Sequence, residues 1–235
     1  MGVRLLVSLF ALLLTACASI PTTGPDGPKG IVFAPRQGDG PPVLVISGLA
    51  GPDGLGGAYR TSAQRLADEG FRAVLIDGNA VASAFREDET ARENLRKAIV
   101  HAGRGQRVAI VGFSLGGMAA LSYAASMEDV VSLVILFYPV TRTVGDAEVF
   151  AGRLRVPVLA FMGDGERSLC CDVRVLLALR QAAARRGATF EVVTYPDAEH
   201  GFNLVTNATY RKDYDEHSWQ RSVGMLRGAW RGAGR

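Results

Sequence analysis

The sequence predicts a single α/β domain built on a mainly parallel, doubly wound sheet with helices on both faces. Three observations predict it: apolar runs of strand length recur along the chain, amphipathic stretches of helix length separate them, and glycines stand where helices should end. At 235 residues, with 48% hydrophobic and 21% charged residues, the chain can bury one sizeable core and has ordinary globular composition. A net charge of +3, from basic residues spread along the chain, gives no electrostatic argument for nucleic acid as a partner.

Taken in order, "IVFA" (31–34) is a short possible strand. "PVLVIS" (42–47), "RAVLID" (72–77), "RVAIVGF" (107–113), "VVSLVILFY" (130–138), "VPVLAFM" (156–162) and "TFEVVTY" (189–195) are mostly continuous apolar runs. Such runs mark strands buried on both faces, as in a parallel sheet. Helical patterns occupy Ala58 to Glu69, Glu87 to Ala102, Ser114 to Ser126, Val173 to Arg186 and about Lys212 to Arg231. Gly70 and Gly187 stand where C-cap glycines belong. No internal repeat is visible.

The N-terminal segment has a different character. "MGVRLLVSLFALLLTAC" carries a positive residue, Arg4, then an apolar stretch from Leu5 to Leu14 that is too short for a membrane span, then small residues before Cys17. "LTAC" resembles the lipobox of bacterial lipoproteins, in which cleavage exposes the cysteine for lipidation. The expected organisation is a signal peptide over 1–16, a flexible Pro- and Gly-rich tether over 17–30 starting at lipidated Cys17, and the α/β domain over 31–235. The chain would then be lipid-anchored in the bacterial cell envelope. Ala18 is not aspartate, and by the sorting pattern of Gram-negative lipoproteins that favours the outer membrane, facing the periplasm.

In an open parallel sheet, ligands collect beyond the carboxyl ends of the strands, so chemistry is sought in the residues that follow each strand. "GFSLG" (112–116) is a G-x-S-x-G elbow: a sharp strand-to-helix turn lifts the Ser114 hydroxyl clear of the backbone, and glycine neighbours let strand and helix approach. A serine hydroxyl needs a base to become a nucleophile. Of the three histidines, His101 and His217 fall on helices and read as surface residues. His200, in "YPDAEHGF" (195–202), directly follows a strand and stands last in the chain order Ser, acid, His that an α/β-hydrolase requires. Two carboxylates, Asp164 and Glu166, follow the strand "VPVLAFM" and are candidates for the acid.

"GFSLGG", "FMGDGE" and "YPDAEHGF", in this order and at these separations, resemble the dienelactone hydrolase family over roughly residues 31 to 230. The resemblance implies an α/β-hydrolase fold of seven or eight strands with little or no cap domain, and an esterase-like activity on an ester, lactone or thioester. Family members place the acid three residues past the first glycine of M-G-x-x-D. Counting from Gly163 gives Glu166, with Asp164 the alternative favoured by the commoner use of aspartate. The oxyanion donors implied are the backbone N–H groups of Leu115 and Leu49. Two departures are visible: well-known members have cysteine where this chain has Ser114, and a glutamate where it has Gly48.

Other readings are weaker. In "SGLAGPDGLGGAYR" a dinucleotide G-x-G-x-x-G would need Gly54, Gly56 and glycine at Tyr59, so a nucleotide-binding oxidoreductase is poorly supported. A tethered, non-catalytic binding module is the second alternative. No CxxC or Cys/His ligand spacing occurs, so no metal is expected, and acyl transfer at serine requires no cofactor. Cys170 and Cys171 are neighbours, for which at most a labile bridge is expected. Arg86 and Arg142 are candidates to meet a substrate carboxylate, with plain surface roles as the alternative. The expected partners are a small acyl substrate and, through Cys17, a membrane.

Overall fold

The computed structural model describes residues 23–83, 87–166 and 170–233. Cys17, the lipobox and Arg86 therefore lie outside the described residues. Among the described residues, seven strands form one sheet: β1 (Ile31–Phe33), β2 (Pro42–Ile46), β3 (Arg72–Ile76), β4 (Val108–Phe113), β5 (Val131–Phe137), β6 (Val158–Gly163) and β7 (Phe190–Tyr195). Their order across the sheet is β1-β3-β2-β4-β5-β6-β7. Only β1 runs antiparallel to its neighbour, and every other adjacent pair is parallel. β2, β3, β4 and β6 are buried along their whole length, which is why they read as unbroken apolar runs. β7, at the sheet edge, is only partly buried.

The helices are α1 (Gly54–Asp68), α2 (Glu89–Gly103), α3 (Leu115–Ser122), α4 (Ala147–Ala151), α5 (Val173–Arg185) and α6 (Lys212–Ala233). Sequence chemistry sets several of their ends. Asp88 caps α2 by accepting from the Ala91 N–H, and Asp172 caps α5 by accepting from the Arg174 N–H. Gly70 and Gly187, past the ends of α1 and α5, take positive φ of 93° and 70°. Two helices differ from expectation. α3 stops at Ser122 and continues as a tight 3₁₀ turn, Ala124–Ser126. α4 has only five residues, too few for periodicity to reveal.

The register positions the functional edge. Ile46 lies level with Gly112, and Phe113 with Phe137. The chain thus leaves β2, β4, β5, β6 and β7 at one edge of the sheet, where the loops carrying Gly48, Ser114, Tyr138, Glu166 and His200 meet. Behind that edge a run of aromatic rings fills the core: Phe113 stacks on Phe137 at 5.0 Å, and Phe137 on Phe161 at 5.0 Å.

Candidate active site

Close approach dictates the local sequence around Ser114. A Cβ placed at Gly112 would lie 2.7 Å from the Gly116 carbonyl oxygen, and one at Gly116 would lie 2.5 Å from the carbonyl oxygens of Ile46 and Ser47. Neither contact is tolerable, so glycine at 112 lets β4 approach α3, and glycine at 116 lets α3 approach the end of β2. The turn between β4 and α3 puts Ser114 at φ 51°, ψ −112°. Such a backbone costs a non-glycine residue about 1–3 kcal/mol. It is held in place by the Ser114 N–H donating to Phe137 O at 3.0 Å, while Ser114 O accepts from Met118 N and Val140 N at 3.0 and 3.1 Å.

The structure brings Ser114, His200 and Glu166 together. His200 Nε2 is 2.9 Å from Ser114 Oγ, and His200 Nδ1 is 2.7 Å from Glu166 Oε2. The Glu166 side chain is 5% exposed and that of His200 is 34% exposed, so the carboxylate is sealed while the imidazole keeps an open side. Asp164 lies elsewhere on the same loop: it is exposed, and its Oδ1 accepts the Asp197 N–H at 2.6 Å. That is the loop-bracing role open to a turn aspartate. His101 is exposed, and His217 exchanges a 2.7 Å hydrogen bond with the Tyr195 hydroxyl. Arg142 is exposed on the loop after β5.

His200 is fixed from several sides. Its carbonyl accepts from Thr209 Oγ1 at 2.6 Å and Asn207 Nδ2 at 3.1 Å. The Tyr138 ring packs against the imidazole with centroids 4.6 Å apart. Tyr138 donates its hydroxyl proton to Asn203 Oδ1 at 2.9 Å, and burial pushes its pKa well above the ordinary tyrosine value, so it stays protonated.

The loop after β2 carries the second candidate oxyanion amide. Leu49 is 69% exposed, and its carbonyl accepts from Asn79 Nδ2 at 3.1 Å. Leu115 is the first residue of α3, so its N–H has no partner one turn earlier in the helix. Gly48 has a specific neighbour: a Cβ there would lie 2.5 Å from the Tyr59 hydroxyl and 3.2 Å from Ser114 Cβ. The buried Tyr59 hydroxyl is hydrogen-bonded by the Gly48 backbone and fills the space that a side chain at position 48 would enter. Tyr59, Asn79 and Tyr138 were not singled out from the sequence as site residues. The available signal for Asn79 and Tyr138 was their position just past β3 and β5. Tyr59 gave none beyond its failure to complete a glycine motif.

The sequence spacing also gave no sign that Cys170 and Cys171, which are bonded to each other, sit beside His200. Their two sulfurs and a ring nitrogen of His200 lie within 4.8 Å of one another.

Comparison with known proteins agrees with this architecture. The profile of the dienelactone hydrolase family matches residues 29–229. A relative from Escherichia coli (strain K12), named "Putative carboxymethylenebutenolidase", is 27% identical over 240 residues, covering 90% of this chain and 86% of that one. A Yersinia pestis protein of the same name is 28% identical over 131 residues, so that the match spans 52% of this chain and about half, 47%, of the relative. A crystal structure from Klebsiella pneumoniae described as a "Putative Dienelactone Hydrolase" shares the fold, with a TM-score of 0.65 and 24% identity over 81% of this chain and 89% of that one. These matches do not favour the nucleotide-binding or the non-catalytic alternative. With the profile spanning residues 29–229 and the sheet ordered as described, the chain belongs to the dienelactone hydrolase family, has the α/β-hydrolase fold, and is a hydrolase acting on ester bonds.

Proposed function

We propose that the chain is a serine hydrolase that cleaves a carboxylic ester, lactone or thioester through an acyl-enzyme on Ser114. The observation that carries this reading is the unbroken chain of hydrogen bonds from Glu166 through His200 to Ser114, at 2.7 and 2.9 Å. With the proton of the neutral imidazole on Nδ1 and donated to Glu166, Nε2 accepts from the serine hydroxyl. As Ser114 Oγ attacks the acyl carbon, His200 takes the hydroxyl proton and the buried carboxylate supports the imidazolium. The amides of Leu115 and Leu49 stabilise the oxyanion, aided by the N-terminus of α3. His200 then returns the proton to the leaving group. Water repeats the sequence in reverse and frees the acid, so no cofactor takes part.

A fluorophosphonate probe tests the nucleophile: Ser114→Ala should lose covalent labelling, and persistence at the wild-type level would remove Ser114 from the role. Hydrolysis profiled across acyl-chain lengths would define the substrate. The "LTAC" sequence supports a further part of the proposal, that the domain is held by a lipidated Cys17 in the cell envelope, at the outer membrane facing the periplasm.

A further inference from the structure

Cys170 and Cys171 serve no step of ester hydrolysis, yet they share a site with the imidazole that does. Cys171 is buried at 2% exposure and Cys170 is partly buried. The pair is moored to the loop after β5: Cys170 O accepts the Thr141 N–H at 2.9 Å, and Asp172 N donates to Thr141 Oγ1 at 3.0 Å. These bonds flank the two cysteines and do not involve sulfur. The backbone therefore keeps both side chains beside His200 whether or not the sulfurs are joined.

We propose that, once the disulfide is reduced, Cys170 Sγ, Cys171 Sγ and one ring nitrogen of His200 bind a single soft divalent cation of the zinc and cadmium class. Occupation of this site silences the hydrolase. Reduction by a dithiol passes two electrons and two protons to the cysteine pair and leaves the reductant as its own disulfide. Binding then replaces the two thiol protons, released to solvent, by the cation. Two thiolates and an imidazole form a donor set suited to such ions and poorly suited to calcium or magnesium. With bonds of about 2.3 Å to sulfur and about 2.0 Å to nitrogen, tetrahedral donors stand roughly 3.5 Å apart. The sulfurs, bonded to each other in the oxidised form, separate on reduction, the ring nitrogen already lies within 4.8 Å of both, and shifts on the order of 1 Å by each group reach these separations, with a water completing the shell.

The consequence for catalysis follows from the imidazole itself. Its nitrogens are engaged one with Glu166 and one with Ser114. Whichever nitrogen binds the cation loses its partner, so occupancy and the triad exclude each other. Only this inhibition rests on the catalytic reading above. Binding does not.

The experiment uses the full chain carrying Cys17→Ser, so that no third thiol contributes. Reduced protein freed of reductant is titrated with Cd²⁺. One ion per chain should bind, with a sulfur-to-cadmium charge-transfer band, and hydrolysis of a chromogenic ester should fall in step with occupancy. The oxidised protein, a folded control needing no further substitution, should show neither effect. The Cys170→Ala/Cys171→Ala variant should lose the band and keep its hydrolytic rate in cadmium. His200→Ala should retain the band but bind about tenfold or more weakly, as for lost support at a metal ligand. No band at one equivalent, affinity indifferent to His200→Ala, or equal inhibition of oxidised and reduced protein overturns the proposal. If no ester is hydrolysed by any form while the band behaves as expected, the catalytic reading fails and the site stands.

Discussion

Replacing Glu166 by glutamine separates the two carboxylates of the acid loop. The amide has the same shape and can stay 2.7 Å from His200 Nδ1, in a place where only 5% of the side chain meets solvent. It carries no charge, however, and its NH₂ can donate to Nδ1. That moves the imidazole proton to Nε2, which then donates toward Ser114 instead of accepting from it. Wrong tautomer and unsupported imidazolium together should lower kcat by roughly 10²- to 10⁴-fold, about 3–5 kcal/mol. Asp164→Asn keeps the Oδ1 acceptor for the Asp197 N–H and lies on the exposed side of the loop, so its cost should stay within about 0.5 kcal/mol, or roughly twofold. Steady-state hydrolysis of a chromogenic ester, with thermal melts to show that both variants fold, measures the difference. If Asp164→Asn takes the larger loss, or Glu166→Gln loses less than about tenfold, the acid has been misassigned.

Three further outcomes are expected. Ser114→Ala and His200→Ala should each lower kcat by on the order of 10³-fold or more, and the double variant should be hardly worse than either alone, since the residues act as a unit; additive losses would argue against a shared step. Gly48→Ala should cost about 1–3 kcal/mol of stability through the collision with the Tyr59 hydroxyl, and pairing it with Tyr59→Phe should recover part of that loss in denaturant unfolding; no recovery would place the conflict elsewhere. Cys17→Ser should abolish uptake of labelled fatty acid and leave the precursor unprocessed by the lipoprotein route; wild-type protein that takes up no label would remove the anchor.

Strands β2 to β6 were legible because burial on both faces leaves mostly continuous apolar runs, from "PVLVIS" to "VPVLAFM"; "TFEVVTY" marked β7 through its β-branched and aromatic residues, although that edge strand is only partly buried. The elbow was legible because its pattern is local: glycines 112 and 116 stand within one turn of Ser114, although the contact that demands Gly116 is with the distant Ile46 and Ser47. What escaped depends on contacts between distant segments. No pattern in 45–60 says that the Tyr59 hydroxyl meets Gly48, and none in 75–80 says that Asn79 reaches back to Leu49 O. Leu55, Gly56 and Gly57, all at positive φ, open α1 with a left-handed turn that helix periodicity cannot register. Asp164 and Glu166 differ by only two residues on a loop, where neither helical nor strand spacing discriminates. Their separation came from burial and bonding. The cysteine pair met His200 for the same kind of reason, through the bonds that hold Cys170 and Asp172 to Thr141, far away in the sequence.

The left-handed backbone of Ser114 makes the nucleophile a thermodynamic liability. Glycine at this position would relax φ 51°, ψ −112° and gain about 1–3 kcal/mol, offset by roughly 0.5–1 kcal/mol of extra freedom in the unfolded chain. Screening variants for heat resistance alone would therefore reward loss of the reactive hydroxyl. A stability-guided library for this domain must hold residue 114 fixed, or select for turnover and melting temperature together.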